Sequence, residues 1–183
     1  MVNSIYNFDF ELFDLDQPVK TDKCYEIKPK NLLYLQLNNV LIKSSGENSM
    51  DVFLDEDSKN FMLKFDEECI QKIVNNSSEW FGREMSKDDV ENSFIPSLKF
   101  KSTYIQPFMK LYLNSIQIFD QNKNNIDFDK LNPNETIRTV LKCDNIQCWR
   151  TKMNCHWSII QIQQNINYNI EESYMFNDNI GLP

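Results

Sequence analysis

The chain predicts a mainly β domain interrupted by one helical connection, on three observations. It lacks alanine and is rich in isoleucine, phenylalanine and tyrosine, residue types that suit a pleated, half-buried surface better than a helix. Apolar and polar residues alternate through residues 32–43, 109–119, 135–149 and 155–163, the period of a strand with one face covered. Residues 66–95 change to helical spacing with cap signals. At 183 residues the chain is long enough to bury a single core.

Residues 1–19 alternate acids with large apolar groups (Phe8, Asp9, Phe10, Glu11, Leu12, Phe13, Asp14) up to Pro18 and carry no base. They read either as an edge strand or as a mobile acidic-aromatic arm. Such an arm could dock on a partner or lie in the protein's own basic groove. The main β domain is expected over residues 20–163. Leu32–Lys43 is a long strand with Leu33, Leu35 and Leu37 on one face, and Ser44–Asn48 is a turn returning into Met50–Leu54. The acids from Asp51 to Asp57 read as a solvated loop without an EF-hand glycine. Asn60–Phe65 is expected as a further short strand.

Asp66 then caps a helix through Ile70, Ile73 and Val74, and Ser86-Lys87-Asp88-Asp89 resembles a capping box for a second helix. Trp80 and Phe81 between them are an apolar anchor. After Pro96 come three strands, Met109–Phe119, Glu135–Trp149 and Cys155–Gln163, with asparagine-rich connections at residues 121–125 and 132–134. Thr151–Asn154 closes the last two strands as a tight hairpin, with Asn154 in a left-handed conformation. Residues 164–183 read as a weakly structured tail.

Several function classes have no support in the sequence. No stretch reaches the roughly 20 apolar residues that cross a bilayer, and the acidic start is unlike a signal peptide. An intracellular protein with reduced thiols is therefore expected. The five cysteines are scattered, and Cys143, Cys148, Cys155 and His156 match no common zinc spacing. Strand alternation also predicts that Cys155 and His156, and likewise Cys143 and Cys148, point to opposite faces. His156 is the only histidine, and no phosphate loop or nucleophile motif is present. No catalytic residue, metal or cofactor is expected.

The net charge of −8 hides a segregated pattern. Residues 20–49 hold five lysines against three acids, and residues 96–163 hold nine bases against five acids. A local positive field can recruit a polyanion to an acidic protein. Period two sends Met109, Leu111 and Leu113 inward, which leaves Phe108, Lys110 and Tyr112 on the other face. Arg138 and Lys142 point outward from the next strand, and Trp149, Arg150 and Lys152 lie at its end. Rings interleaved with cations are what single-strand binding needs, since rings stack on bases and cations track phosphates. The competing reading is a half-exposed sheet, where amphipathic Tyr and Lys are ordinary occupants.

Ile137–Trp149 followed by Met153–Ile162 resembles the closing hairpin of OB-fold single-stranded-DNA-binding proteins of large DNA viruses, themselves similar to the podophage type. Ser78-Glu79-Trp80-Phe81, the Ser86 helix and Pro96 resemble their helical connection. Asn154 stands where that hairpin has glycine, and the tail from Ile170 to Pro183 is less acidic than the podophage tail. The resemblance implies an OB-like antiparallel β-barrel with its helical connection at about residues 66–95. It implies a non-catalytic protein of DNA replication or recombination, in host cytoplasm, nucleus or viral factory. Its partners would be single-stranded DNA, replication proteins reached through the acidic arm or tail, and further copies of itself in a homo-oligomer, with no membrane. Phe108, Tyr112 and Trp149 would then stack on bases, while Lys110, Arg138, Lys142, Arg150 and Lys152 contact phosphates. A structural or scaffolding protein of a virion or replication complex is the alternative.

Overall fold

The structure, a computed structural model, describes residues 2–102 and 106–165. In chain order its elements are β1 (Asn3–Ser4), β2 (Val19–Lys20), β3 (Tyr25–Ile27), β4 (Leu33–Ser45), β5 (Ser49–Leu54), α1 (Glu56–Phe81), α2 (Lys87–Ser93), β6 (Leu98–Lys99), β7 (Phe108–Phe119), a 3-10 turn at Phe128–Lys130, β8 (Thr136–Cys148) and β9 (Met153–Gln164). The protein is mainly β, with a mixed sheet and two helices.

Five strands pair in a closed ring: β4 with β5, β5 with β7, β7 with β9, β9 with β8, and β8 back to β4. The ring is not wholly antiparallel, because β7 and β9 run parallel, as do β1 and β4 outside it. Along one edge of β8, β4 pairs as far as Cys143, and β3 takes over from Ile146 to Cys148. The β8–β9 hairpin therefore projects beyond β4 and is backed there by β3 and β2.

The alternation that marked the strands is what fills the ring. Leu35, Leu37, Val40, Met50, Val52, Leu111, Ile137, Leu141, Ile146, Ile159 and Ile162 are fully buried. The helical connection closes over this core. It starts at Glu56 rather than at residue 66, so the strand expected at Asn60–Phe65 is the second and third turns of α1. Phe61, Phe65, Cys69 and Ile73 recur every four residues and share its buried face. Of the acids expected in a loop, Asp51 lies in β5 and the other three form the N-terminus of α1: Asp55 accepts from the Ser58 backbone N–H at 2.9 Å, and Glu56 and Asp57 occupy the first turn, where negative charge complements the helix dipole. Gly82 ends α1 at φ 67°, a left-handed cap that glycine adopts without strain. The Ser86–Asp89 capping box forms on α2.

Asp66 is an interior group rather than a cap. Its carboxylate accepts from the Ser97 backbone N–H and hydroxyl, each at 2.7 Å, and the Trp157 indole N–H reaches the same hydroxyl at 3.3 Å. Burial pushes its carboxyl up to about 6, although the Ser97 bonds pull it down. With Phe65 edge-on to Trp157 at 5.1 Å, this group ties α1 to β9 and to the segment before β6.

Residues 8–13 pack against α1. After β1, Phe8 and Phe13 pack on Phe61 and Phe65, and the Lys64 ammonium sits 4.4 Å from the Phe10 ring centre. The tail expected from residue 164 lies outside the described residues beyond Asn165, and Gln164 is still in β9.

Candidate nucleic-acid interface

The β8–β9 turn is tight. Cys148 pairs with Met153, and the Trp149 N–H donates to the Lys152 carbonyl at 2.8 Å. Asn154 belongs to β9, and the described non-glycine residues with positive φ are Ser115, Lys123 and Asn134. The bend thus falls on residues 149–152, ahead of the position where left-handed geometry was expected.

At this tip lies a groove of about 690 Å³ between the hairpin, the β2–β3 strands and the end of α1. Trp149 and Tyr25 both line it and are 41% and 43% exposed. Phe81, Met85 and Met153 add apolar lining, and Lys20, Lys23, Arg83 and Arg150 supply cations against one acid, Asp22. No ion pair among the described residues occupies those four cations or Lys152. Cys24 and Cys148 also line it, and burial, then Cys24, pushes the Cys148 thiol up to about 12, so it stays protonated.

The other expected contacts are dispersed. Phe108 is buried at 8% exposure, yet it stands outside the main hydrophobic cluster that Met109 and Leu111 join. Lys110 is exposed and neighbours Asp51 across the β5–β7 pair. Tyr112 is half-buried and stacked on His156, ring centres 4.2 Å apart and 13° from parallel. Its row continues laterally through Ser158 to Lys142 and Tyr34.

That row is closed by its own counter-charge. The Lys142 ammonium lies 2.8 Å from Asp144, which also bonds His156 at 3.3 Å and accepts from the Ser158 hydroxyl. Burial opposes the Asp144 charge, yet hydrogen bonds from His156, Lys142 and Ser158 together hold it well below the usual carboxylate range, and its bond in turn raises Lys142. Ser158 is buried and bonded to Asp144 rather than to His156, so the three do not form a nucleophile relay.

Arg138 is exposed and lies far from the tip, eleven residues before Trp149 on β8, or about 36 Å of extended strand. Of the eight residues expected to share one trough, the structure brings Trp149 and Arg150 into the groove, with Lys152 at the same turn. Lys110, Tyr112 and Lys142 lie on the mid-sheet, Arg138 lies at the far end, and Phe108 is buried. Lys20, Lys23, Tyr25, Phe81 and Arg83 were missed. The lysine excess in residues 20–49 was the signal for Lys20 and Lys23, but only the Tyr25–Cys148 register aligns that segment with Trp149.

Cys155 and His156 do point to opposite faces, inward and outward. Cys143 and Cys148 both point inward, because the β8–β9 register shifts between Cys143 and Asn145. No cluster of metal-ligating side chains occurs among the described residues. No helix among them is long and apolar enough to cross a membrane.

A family model described as a family of unknown function (DUF5871) matches residues 38–178. No curated protein matches the chain. Among solved structures the chain is similar to the single-stranded DNA-binding protein from bacteriophage Enc34, at 10% identity over 82% of this chain and 89% of that one, with a TM-score of 0.48. It is similar to a C-terminal truncation of that protein at 9% identity, over 85% and 95% of the two chains and with TM-score 0.48. The same phage protein in complex with ssDNA gives 8% identity, 81% and 94% coverage and a TM-score of 0.46.

Proposed function

The chain belongs to a family of unknown function (DUF5871), and we propose that this member is a non-catalytic binder of single-stranded DNA, acting in replication or recombination through the hairpin groove. The observation that carries the reading is the composition of that groove: two half-exposed rings and four cations around one acid, in a single concavity. Stacking on Trp149 and Tyr25 supplies sequence-tolerant affinity of about 1–3 kcal/mol per base. Lys20, Lys23, Arg83 and Arg150 track the phosphates, and Lys152 extends the track past the turn.

Ring order supports the same reading by analogy. Numbered within the ring, β4, β5, β7, β8 and β9 are strands one to five of an OB-like barrel, and the groove is built on the loop between the fourth and fifth. OB-folds bind oligonucleotides on the face of strands two and three and with the loops after the first and fourth strands. Lys110 and Tyr112 on β7 then lie on the way from the groove across that face, as secondary contacts.

Fluorescence anisotropy with labelled oligothymidylate tests the proposal. Micromolar or tighter binding that weakens steeply with salt, and that Trp149→Ala reduces, is the expected result. Absence of binding at low salt refutes it and leaves the structural or scaffolding role.

A further inference from the structure

Arg138, left over from the hairpin groove, sits in a recess of its own. Gln36, Phe119, Lys123, Arg138, Gln161 and Gln163 line a cavity of about 270 Å³ on the outside of the ring, at the end of β8 and β9 remote from the hairpin. Three irregularities in pairing meet around it. Register shifts fall on β4 between Leu37 and Val40, on β7 between Leu113 and Gln117, and on β9 where Ile160 is the extra residue opposite Val140 and Leu141. Ser115 within the β7 irregularity has φ 49°. Bulges bend a strand and re-aim its side chains, and they concentrate at barrel rims and beside functional sites. Three such irregularities border the recess.

The lining has the chemistry of a nucleotide. Lys123 and Arg138 bring two cations, and neither is held in an ion pair among the described residues. Arg138 donates to the Gln163 side-chain Oε1 at 3.5 Å, and the Gln161 Nε2 donates to the Gln117 Oε1 at 2.8 Å. The Gln163 Nε2 and the Gln161 Oε1 are thus left for a base edge, while the Gln161 backbone carbonyl accepts from the Thr139 hydroxyl at 2.9 Å. The half-buried Phe119 ring supplies the apolar surface on which a base can rest. We propose that this recess is a nucleoside-monophosphate site, distinct from the hairpin groove, in which Lys123 and Arg138 hold the phosphate and the glutamine amides hold the base. It rests on the recess alone and stands whether or not the groove binds a strand.

The test is a titration of isotope-labelled protein with thymidine 5′-monophosphate, followed by NMR through the side-chain amide signals of Gln161 and Gln163. The expected result is a saturable shift of those signals that inorganic phosphate at equal concentration does not reproduce. Arg138→Glu with Lys123→Glu abolishes it, with the backbone spectrum otherwise retained, and Trp149→Ala leaves it intact. No shift, an equal shift with inorganic phosphate, or loss of the shift in Trp149→Ala overturns the proposal. Loss of oligothymidylate binding in Trp149→Ala, with the mononucleotide shift preserved, separates the two sites.

Discussion

The hairpin tip and the middle of the same sheet carry the same kinds of residue and offer a ligand very different things. On the mid-sheet, Lys142 is bound to Asp144 and Tyr112 is covered on one face by His156. At the tip, Trp149 and Tyr25 have open faces and Arg150 has no counter-ion among the described residues. Alternation places a cation or a ring on the outside of a sheet, but neighbouring strands decide whether it is still available. β9 brings His156 and Ser158 beside Asp144, on a row that already holds its own anion, whereas β3 brings Tyr25 beside the tip, with Lys20 and Lys23 nearby.

The largest expected contrast separates rings that hold the fold from rings that face solvent. Phe108→Ala should cost about 3–5 kcal/mol of folding stability, the usual price of emptying a buried phenylalanine site. Trp149→Ala, at an exposed position, should stay within about 0.5 kcal/mol. Chemical denaturation of the two variants checks this, and an equal loss in both would break the distinction.

Next in size is the pH dependence set by Asp66. Its folded carboxyl titrates near 6, above its ordinary value of 3.8, so the folded state binds the proton more tightly than the unfolded chain. Its contribution is fully present below about pH 4 and is lost as pH rises through 6. About two units correspond to roughly 3 kcal/mol. Stability should therefore fall between pH 4 and pH 6.5, and Asp66→Asn should flatten that part of the profile. Asp144 acts in the opposite sense: its depressed carboxyl stabilises above its ordinary value and loses that contribution as pH falls below about 4.

Binding should divide the rings differently. Trp149→Ala should weaken oligothymidylate by about 1–3 kcal/mol, and Tyr112→Ala by less, because His156 already occupies one of its faces. The smallest effect is in salt dependence. Arg150→Ala should reduce the slope of log affinity against log salt by about 0.7, the value of one phosphate contact on a single strand. Lys142→Ala should leave the slope unchanged, since Asp144 already neutralises that charge.

Much of this fold was readable from local pattern. The four long strands and the β8–β9 hairpin followed from period two, and the α2 capping box from four consecutive residues. α1 was half hidden, because Phe61, Met62, Leu63 and Phe65 make a short apolar run that suits either a strand or a helix; only the continuation to Cys69 and Ile73 decides it. Cys148 was assigned by alternation and fell on the other face where β8 breaks register, and Phe108 is buried although alternation placed it on the outer face of β7. Of the candidate site, the rings and cations of one strand were legible. The partners brought from residues 20–25 and 81–85 were not, since a contact between segments so far apart leaves no local mark. Nor could alternation reveal that Lys142 was already paired.

Photocrosslinking reads out which rings meet a strand. An oligothymidylate carrying 5-bromodeoxyuridine should crosslink chiefly at Trp149 and Tyr25, as located by mass spectrometry of the digested adduct. Crosslinks confined to Tyr112 and Tyr34 on the mid-sheet, with the hairpin tip unmodified, would contradict the assignment of the interface.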